Sequence, residues 1–121
     1  MDNDRNHKPY NLEERTLEFA KAVIRLCKKL SKNTINNELV AQVVRSSGSV
    51  GANYREANDA LGKKDFIQRL RIARKETKET IHWLQILKVS EEKLSTKIEN
   101  LIDEAIELRN ILSAIIKKSI C

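Results

Sequence analysis

From Leu12 onward the apolar positions fall on helical spacings. Leu12, Thr16, Phe19, Val23, Leu26 and Leu30 recur at alternating steps of four and three, the period of one buried helix face. Asn11 stands where an N-cap belongs and Glu14 occupies the capping-box position, so a first helix is expected to run from there to about Ser31. The polar run Ser31-Lys32-Asn33-Thr34 interrupts the pattern. After it, Asn36 or Asn37 is the expected cap of a second helix that turns Leu39, Val43, Val50, Tyr54, Ala57 and Leu61 inward.

Gly62 is expected to end that helix. Phe66, Leu70, Ala73, Thr77, Ile81, Leu84 and Leu87 then mark the inward face of a third, extending to about Val89. A polar connection from Ser90 to Ser95 leads to a fourth, carrying Ile98, Leu101, Ala105, Leu108, Leu112 and Ile115. Its acidic residues precede Arg109, Lys117 and Lys118, the order that complements a helix dipole. The pattern predicts an all-α protein, an antiparallel up-down-up-down four-helix bundle over residues 11–121 behind a flexible N-terminal tail, 1–10.

Some apolar residues exceed what one seam needs. Ile102, Ile106, Ile116 and Ile120 flank the fourth stripe, and Ile72, Trp83 and Ile86 flank the third. Either the intramolecular face is broad or part of it is a subunit interface, and a homo-oligomer is the favoured expectation.

Composition agrees with long helices: 40% of residues are hydrophobic and 33% charged, with three glycines and one proline to break them. The net charge of +6 favours a polyanionic partner, nucleic acid or an acidic membrane surface. No helix pairs a free apolar face with a basic one, so no membrane partner is expected. The two cysteines, Cys27 and Cys121, have neither metal-site nor disulfide spacing, which suits a reducing compartment. Without an apolar leader or a span-length apolar run, a soluble cytoplasmic protein is expected.

The second helix contains an unusual run, Arg45-Ser46-Ser47-Gly48-Ser49-Val50-Gly51-Ala52-Asn53-Tyr54-Arg55-Glu56-Ala57. Its small residues permit close helix approach, while Arg45, Ser49, Asn53 and Glu56 share one polar stripe. The stripe is either a structural seam or a recognition patch. The seam is favoured, because half-buried polar groups need partners and Glu76 and Glu79 of the third helix can supply them.

The outward face of the third helix carries Lys64, Gln68, Arg71, Lys75, Lys78 and His82 at steps of four and three, a stripe of roughly 27 Å. Arg69 and Arg74 are expected beside it, with Arg55 contributed by the second helix. A solvated surface is the plainer reading of such a stripe. The functional reading is binding to an RNA or DNA phosphate backbone, without base reading because no exposed aromatics are interleaved.

Catalytic readings are weaker. Glu79-Thr80-Ile81-His82 has the Glu-x-x-His spacing of di-iron bundles, but it occurs once and the other histidine is His7. Cys27 lies on a core face, and the serines near Gly48 lack a neighbouring histidine and a nucleophile-elbow context. Neither metal nor cofactor nor enzymatic activity is expected.

The run Arg45 to Ala57, continued by Asp65-Phe66-Ile67, Leu70, Ile72-Ala73, Lys75-Glu76, Glu79-Thr80 and Trp83-Leu84, resembles the signature of the 23S rRNA intervening-sequence proteins. The resemblance implies a non-enzymatic bacterial four-helix bundle, usually a homopentameric ring, encoded in some members within an insertion in the large ribosomal RNA gene. A related branch resembles the accessory protein of diversity-generating retroelements, which implies a reverse transcriptase as a possible partner. Gly62, Arg74 and His82 depart from the family pattern. Beside nucleic-acid binding stands the alternative of a protein scaffold or adaptor ring.

Overall fold

In the computed structural model the described residues are 11–120. The expected tail, residues 1–10, lies outside them, as does Cys121. Asn11 Oδ1 accepts from the N–H groups of Glu13 at 2.8 Å and Glu14 at 3.3 Å and starts α1, Leu12–Cys27. This helix stops short of the expected Ser31. The Lys29 N–H donates to Leu26 O and that of Leu30 to Cys27 O, tightening the chain so that Leu30 stays buried beyond the helix end.

α2, Thr34–Asn58, is capped by Asn33, whose side chain accepts from the Asn36 N–H at 2.8 Å. The expected caps were Asn36 or Asn37. Asn36 is instead buried and serves as a clasp: Nδ2 donates to Ser31 O at 2.7 Å and Glu91 Oε1 at 3.0 Å, and Oδ1 accepts from Ser90 Oγ at 2.6 Å. Glu91 Oε1 also accepts from the Ser31 N–H at 2.6 Å, so one network ties the α1–α2 connection to the end of the third helix.

α2 ends at Asn58, where the Asp59 N–H donates to the Arg55 and Glu56 carbonyls. Leu61, expected inside, therefore lies in the connection and is fully exposed. Gly62 is not the end of α2 but the N-cap of α3, Lys63–Ser90. It supplies no side-chain cap. A 3-10 turn, Glu92–Leu94, occupies the expected polar connection and leads into α4, Ser95–Ile120.

α2 and α4 both pack closely on α3, whereas α1 lies on α2 and more lightly on α4. That places α1 and α3 on a diagonal of an up-down bundle. Leu70, Leu84, Leu87, Ile98, Leu108, Leu112, Val23, Val43 and Val50 fill the centre. On α4 the core stripe takes Ile102 and Ile116, while Leu101 and Ile115 are only half-buried. Two isoleucines expected as surplus thus belong to the bundle's own core. Ile72, Trp83 and Ile106 are half-buried, and Ile86 and Ile120 are exposed.

The small-residue run works at two points. A Cβ added at Gly51 would stand 2.8 Å from Thr16 Oγ1 and 3.2 Å from Thr16 Cβ, so α1 and α2 meet through a glycine. At Ser46 the run faces α3, where Thr80 Oγ1 donates to Ser46 Oγ at 2.9 Å between two buried side chains. Each hydroxyl occupies a core position and also reaches a carbonyl of its own helix, Glu76 O at 2.8 Å from Thr80 and Val43 O at 3.4 Å from Ser46, so the pair is satisfied together with the backbone.

Candidate nucleic-acid interface

The inward residues of α3 fix its rotation, since Leu70, Ala73, Thr77, Thr80, Leu84 and Leu87 are all buried. The opposite face is consequently solvent-facing, and Lys64, Gln68, Arg71, Lys75, Lys78 and His82 are exposed on it. Among the described residues, Lys64, Arg71, Lys75 and Lys78 take part in no ion pair. The His82 ring meets Trp83 edge-on, with centroids 5.0 Å apart at 69°.

Why the stripe stays unneutralised is visible in the partners of α3's own carboxylates. Glu76 accepts from Arg45 at 3.4 Å, Glu79 accepts from the same guanidinium, and Asp65 lies 3.8 Å from Arg69. Arg45 is exposed, and its pKa is raised first by the Glu79 hydrogen bond and then by the Glu76 charge. The acids flanking the stripe are turned to other cations.

The three arginines expected to extend the stripe are engaged elsewhere. Arg55 pairs with Glu13 of α1 at 3.3 Å. Arg69 is held by Asp65, and Arg74 donates to Ser113 of α4 at 3.3 Å. Arg55 and Arg74 are drawn to acceptors on neighbouring helices and Arg69 to a carboxylate one turn back on its own, so each of the three already has a partner.

Of the polar seam, only Arg45 reaches across to Glu76 and Glu79. Ser49 Oγ donates to Arg45 O and Asn53 Nδ2 to Ser49 O, both at 2.9 Å within α2. The expected crossing bonds from these two do not form, because a short polar side chain on a helix meets the preceding turn's carbonyl first. Glu56 is exposed. The buried crossing bond is Ser46–Thr80, a hydroxyl pair the seam reading missed. Its sequence signal was Ser46 and Thr80 standing at stripe positions otherwise filled by Val43, Val50, Thr77 and Leu84.

Two further linkages were also missed. Arg15 donates to Glu104 at 2.7 and 2.9 Å and to Glu107 at 2.6 Å, and the Glu104 bonds lead in holding its pKa above the ordinary arginine value. The Asn36–Glu91 clasp holds the Glu91 carboxyl below its ordinary range, chiefly through the Ser31 backbone N–H. Asn36 could have been noticed as the polar first member of the Leu39 and Val43 stripe.

Beside the N-terminal half of the stripe lies an open groove of about 880 Å³, with Ile67 and Ile120 next to Lys64, Gln68 and Arg71. It offers no aromatic platform, and no Phe, Tyr or Trp is exposed among the described residues. Burial pushes the Cys27 thiol up to about 11, which keeps it protonated and a poor nucleophile. Glu79 is turned to Arg45 rather than to His82. Among the described residues no group of three or more His, Cys, Asp and Glu could hold a metal, and no helix is long and apolar enough to cross a membrane.

Fold and surface together define a four-helix bundle whose third helix carries a basic row without ion pairs among the described residues. The chain belongs to the 23S rRNA-intervening sequence protein family, whose model matches residues 10–114. Among solved structures, a protein of unknown function from the S23 ribosomal protein family of Bacteroides thetaiotaomicron VPI-5482 is similar, at 33% identity and a TM-score of 0.78. That likeness covers 88% of this chain and 99% of the other. Comparison with curated proteins finds no match.

Proposed function

We propose that this bundle is a non-enzymatic protein that binds RNA or DNA through the phosphate backbone, using Lys64, Arg71, Lys75 and Lys78. The observation that carries the reading is the combination of exposure and missing partners: four cations in one row, none in an ion pair among the described residues, with the adjacent carboxylates committed to Arg45 and Arg69. A row of this kind attracts phosphates and releases their counterions. Without exposed aromatic rings or a fixed array of side-chain amides among the described residues, it selects charge rather than sequence.

The working form we propose is a homo-oligomer in the bacterial cytoplasm, a pentamer as the family resemblance implies. Exposed Leu17 and Ile24 on α1 and Ile86 and Val89 on α3 support subunit contacts. Assembly would repeat the basic row once per subunit and raise avidity. The test is electrophoretic retention of a generic single-stranded RNA by the full chain and by an Arg71→Glu/Lys75→Glu variant. Retention by the former and its loss in the latter support the reading, and equal retention overturns it. In that case the same exposed apolar residues favour a protein scaffold.

A further inference from the structure

The seam between α1 and α4 changes character along its length. Near the start of α1, Arg15 reaches across to Glu104 and Glu107. Toward the other end, Arg25 of α1 and Lys29 of the turn after it face Lys97 and Asn100 in the first turns of α4. An acid–base match has become a meeting of bases.

These side chains line a cleft of about 190 Å³ whose apolar wall includes Leu26 and Leu101. Lys29 and Lys97 line the same cleft, and the neighbouring Lys97 ammonium lowers the Lys29 pKa. Among the described residues, no ion pair engages Arg25, Lys29 or Lys97. The positive end of the α4 dipole adds to the same field. Two ammonium groups brought together without a carboxylate between them are disfavoured until an anion joins them.

We propose that this cleft binds a phosphate dianion, either inorganic phosphate or a terminal phosphate monoester, between Arg25, Lys29 and Lys97, with Asn100 as a neutral donor. Arginine offers a planar fork for two phosphate oxygens and the lysines offer compact charges. Three cations in a small concave space match a dianion better than the single charge of an internal phosphodiester. Because α1 is diagonal to α3, the site is separate from the α3 row and does not depend on the function proposed above.

The test uses the full chain, with calorimetric titration and thermal melting in sodium phosphate and in sodium chloride at matched pH and ionic strength. Phosphate is expected to raise the wild-type Tm above that in chloride. Lys97→Gln and Arg25→Gln should each weaken the phosphate Kd by roughly tenfold or more, the loss of one charge-assisted contact, while Lys118→Gln, exposed at the far end of α4, leaves it unchanged. In chloride Lys97→Gln should melt no lower than wild type, because it removes a like-charge contact, so lost binding would not reflect unfolding.

Two oligonucleotides of one sequence separate the sources. If the natural ligand is a nucleic-acid end, a 5′-phosphorylated strand displaces inorganic phosphate and its 5′-hydroxyl counterpart does not. If it is free phosphate, neither strand displaces it. Equal melting in phosphate and chloride, undiminished binding by both variants, or displacement of phosphate by the 5′-hydroxyl strand would overturn the proposal.

Discussion

The Arg45 guanidinium on α2 donates to the Glu79 carboxylate on α3 and, at 3.4 Å, to Glu76. Two carboxylates that share a helix with Lys75 and Lys78 thereby share one cation from outside the basic row. Arg45→Ala should release both and lower RNA affinity about threefold at low salt, although Arg45 is not in the row, with the difference fading as salt screens it. Fluorescence anisotropy with a labelled single-stranded RNA measures this, and unchanged affinity would argue that the two faces are independent. The fold should be little affected, since the guanidinium is exposed.

Two glycines three residues apart in α2 should respond to alanine with opposite signs. Nothing lies within 4 Å of a Cβ at position 48, so Gly48→Ala should stabilise the bundle by up to about 1 kcal/mol through helix propensity. A Cβ at Gly51 meets the buried Thr16 side chain at 2.8 Å, and Gly51→Ala should cost about 1–2 kcal/mol after the propensity gain. Urea unfolding of the two variants gives the comparison.

The clasp at the far end of the bundle should make stability pH-dependent. Glu91 has a folded pKa held below 4.5, first by the Ser31 N–H. Its contribution is therefore fully present above the unfolded value and is lost as pH falls through the folded one. Tm should drop on acidification below about pH 4.5, and Glu91→Gln should flatten that drop while lowering Tm at neutral pH. Asn36→Ala, which leaves Ser31 O and Ser90 Oγ without their buried partner, should cost about 2–4 kcal/mol at neutral pH.

The bundle was legible because its core obeys a period that only helices satisfy, and the exposed members of the α3 row follow from the same rotation. Helix ends were less legible. Asn33 and Asn36 are equally good caps by residue type, and the choice depends on Asn36 being taken by Glu91 and Ser90, which lie more than fifty residues away. Leu61 continued the α2 spacing on paper past the point where Asp59 ends the helix. The partners of Arg55 and Arg74 were illegible for a related reason: a long side chain's direction is set by acceptors, and these acceptors, Glu13 and Ser113, belong to other helices. The cleft that Lys29 and Lys97 share depends on where the turn after α1 meets the start of α4, which no periodicity encodes.

The central claim is most directly tested by the salt dependence of RNA affinity. With four phosphate contacts from Lys64, Arg71, Lys75 and Lys78, log K against log salt concentration should fall with a slope of roughly −3 for one bundle, steeper as further subunits engage. Between 50 and 200 mM salt the affinity should drop by roughly sixtyfold, and Arg71→Glu/Lys75→Glu should flatten the slope by at least half. A slope shallower than about −1, or one that the double variant leaves unaltered, would contradict backbone binding by the α3 row.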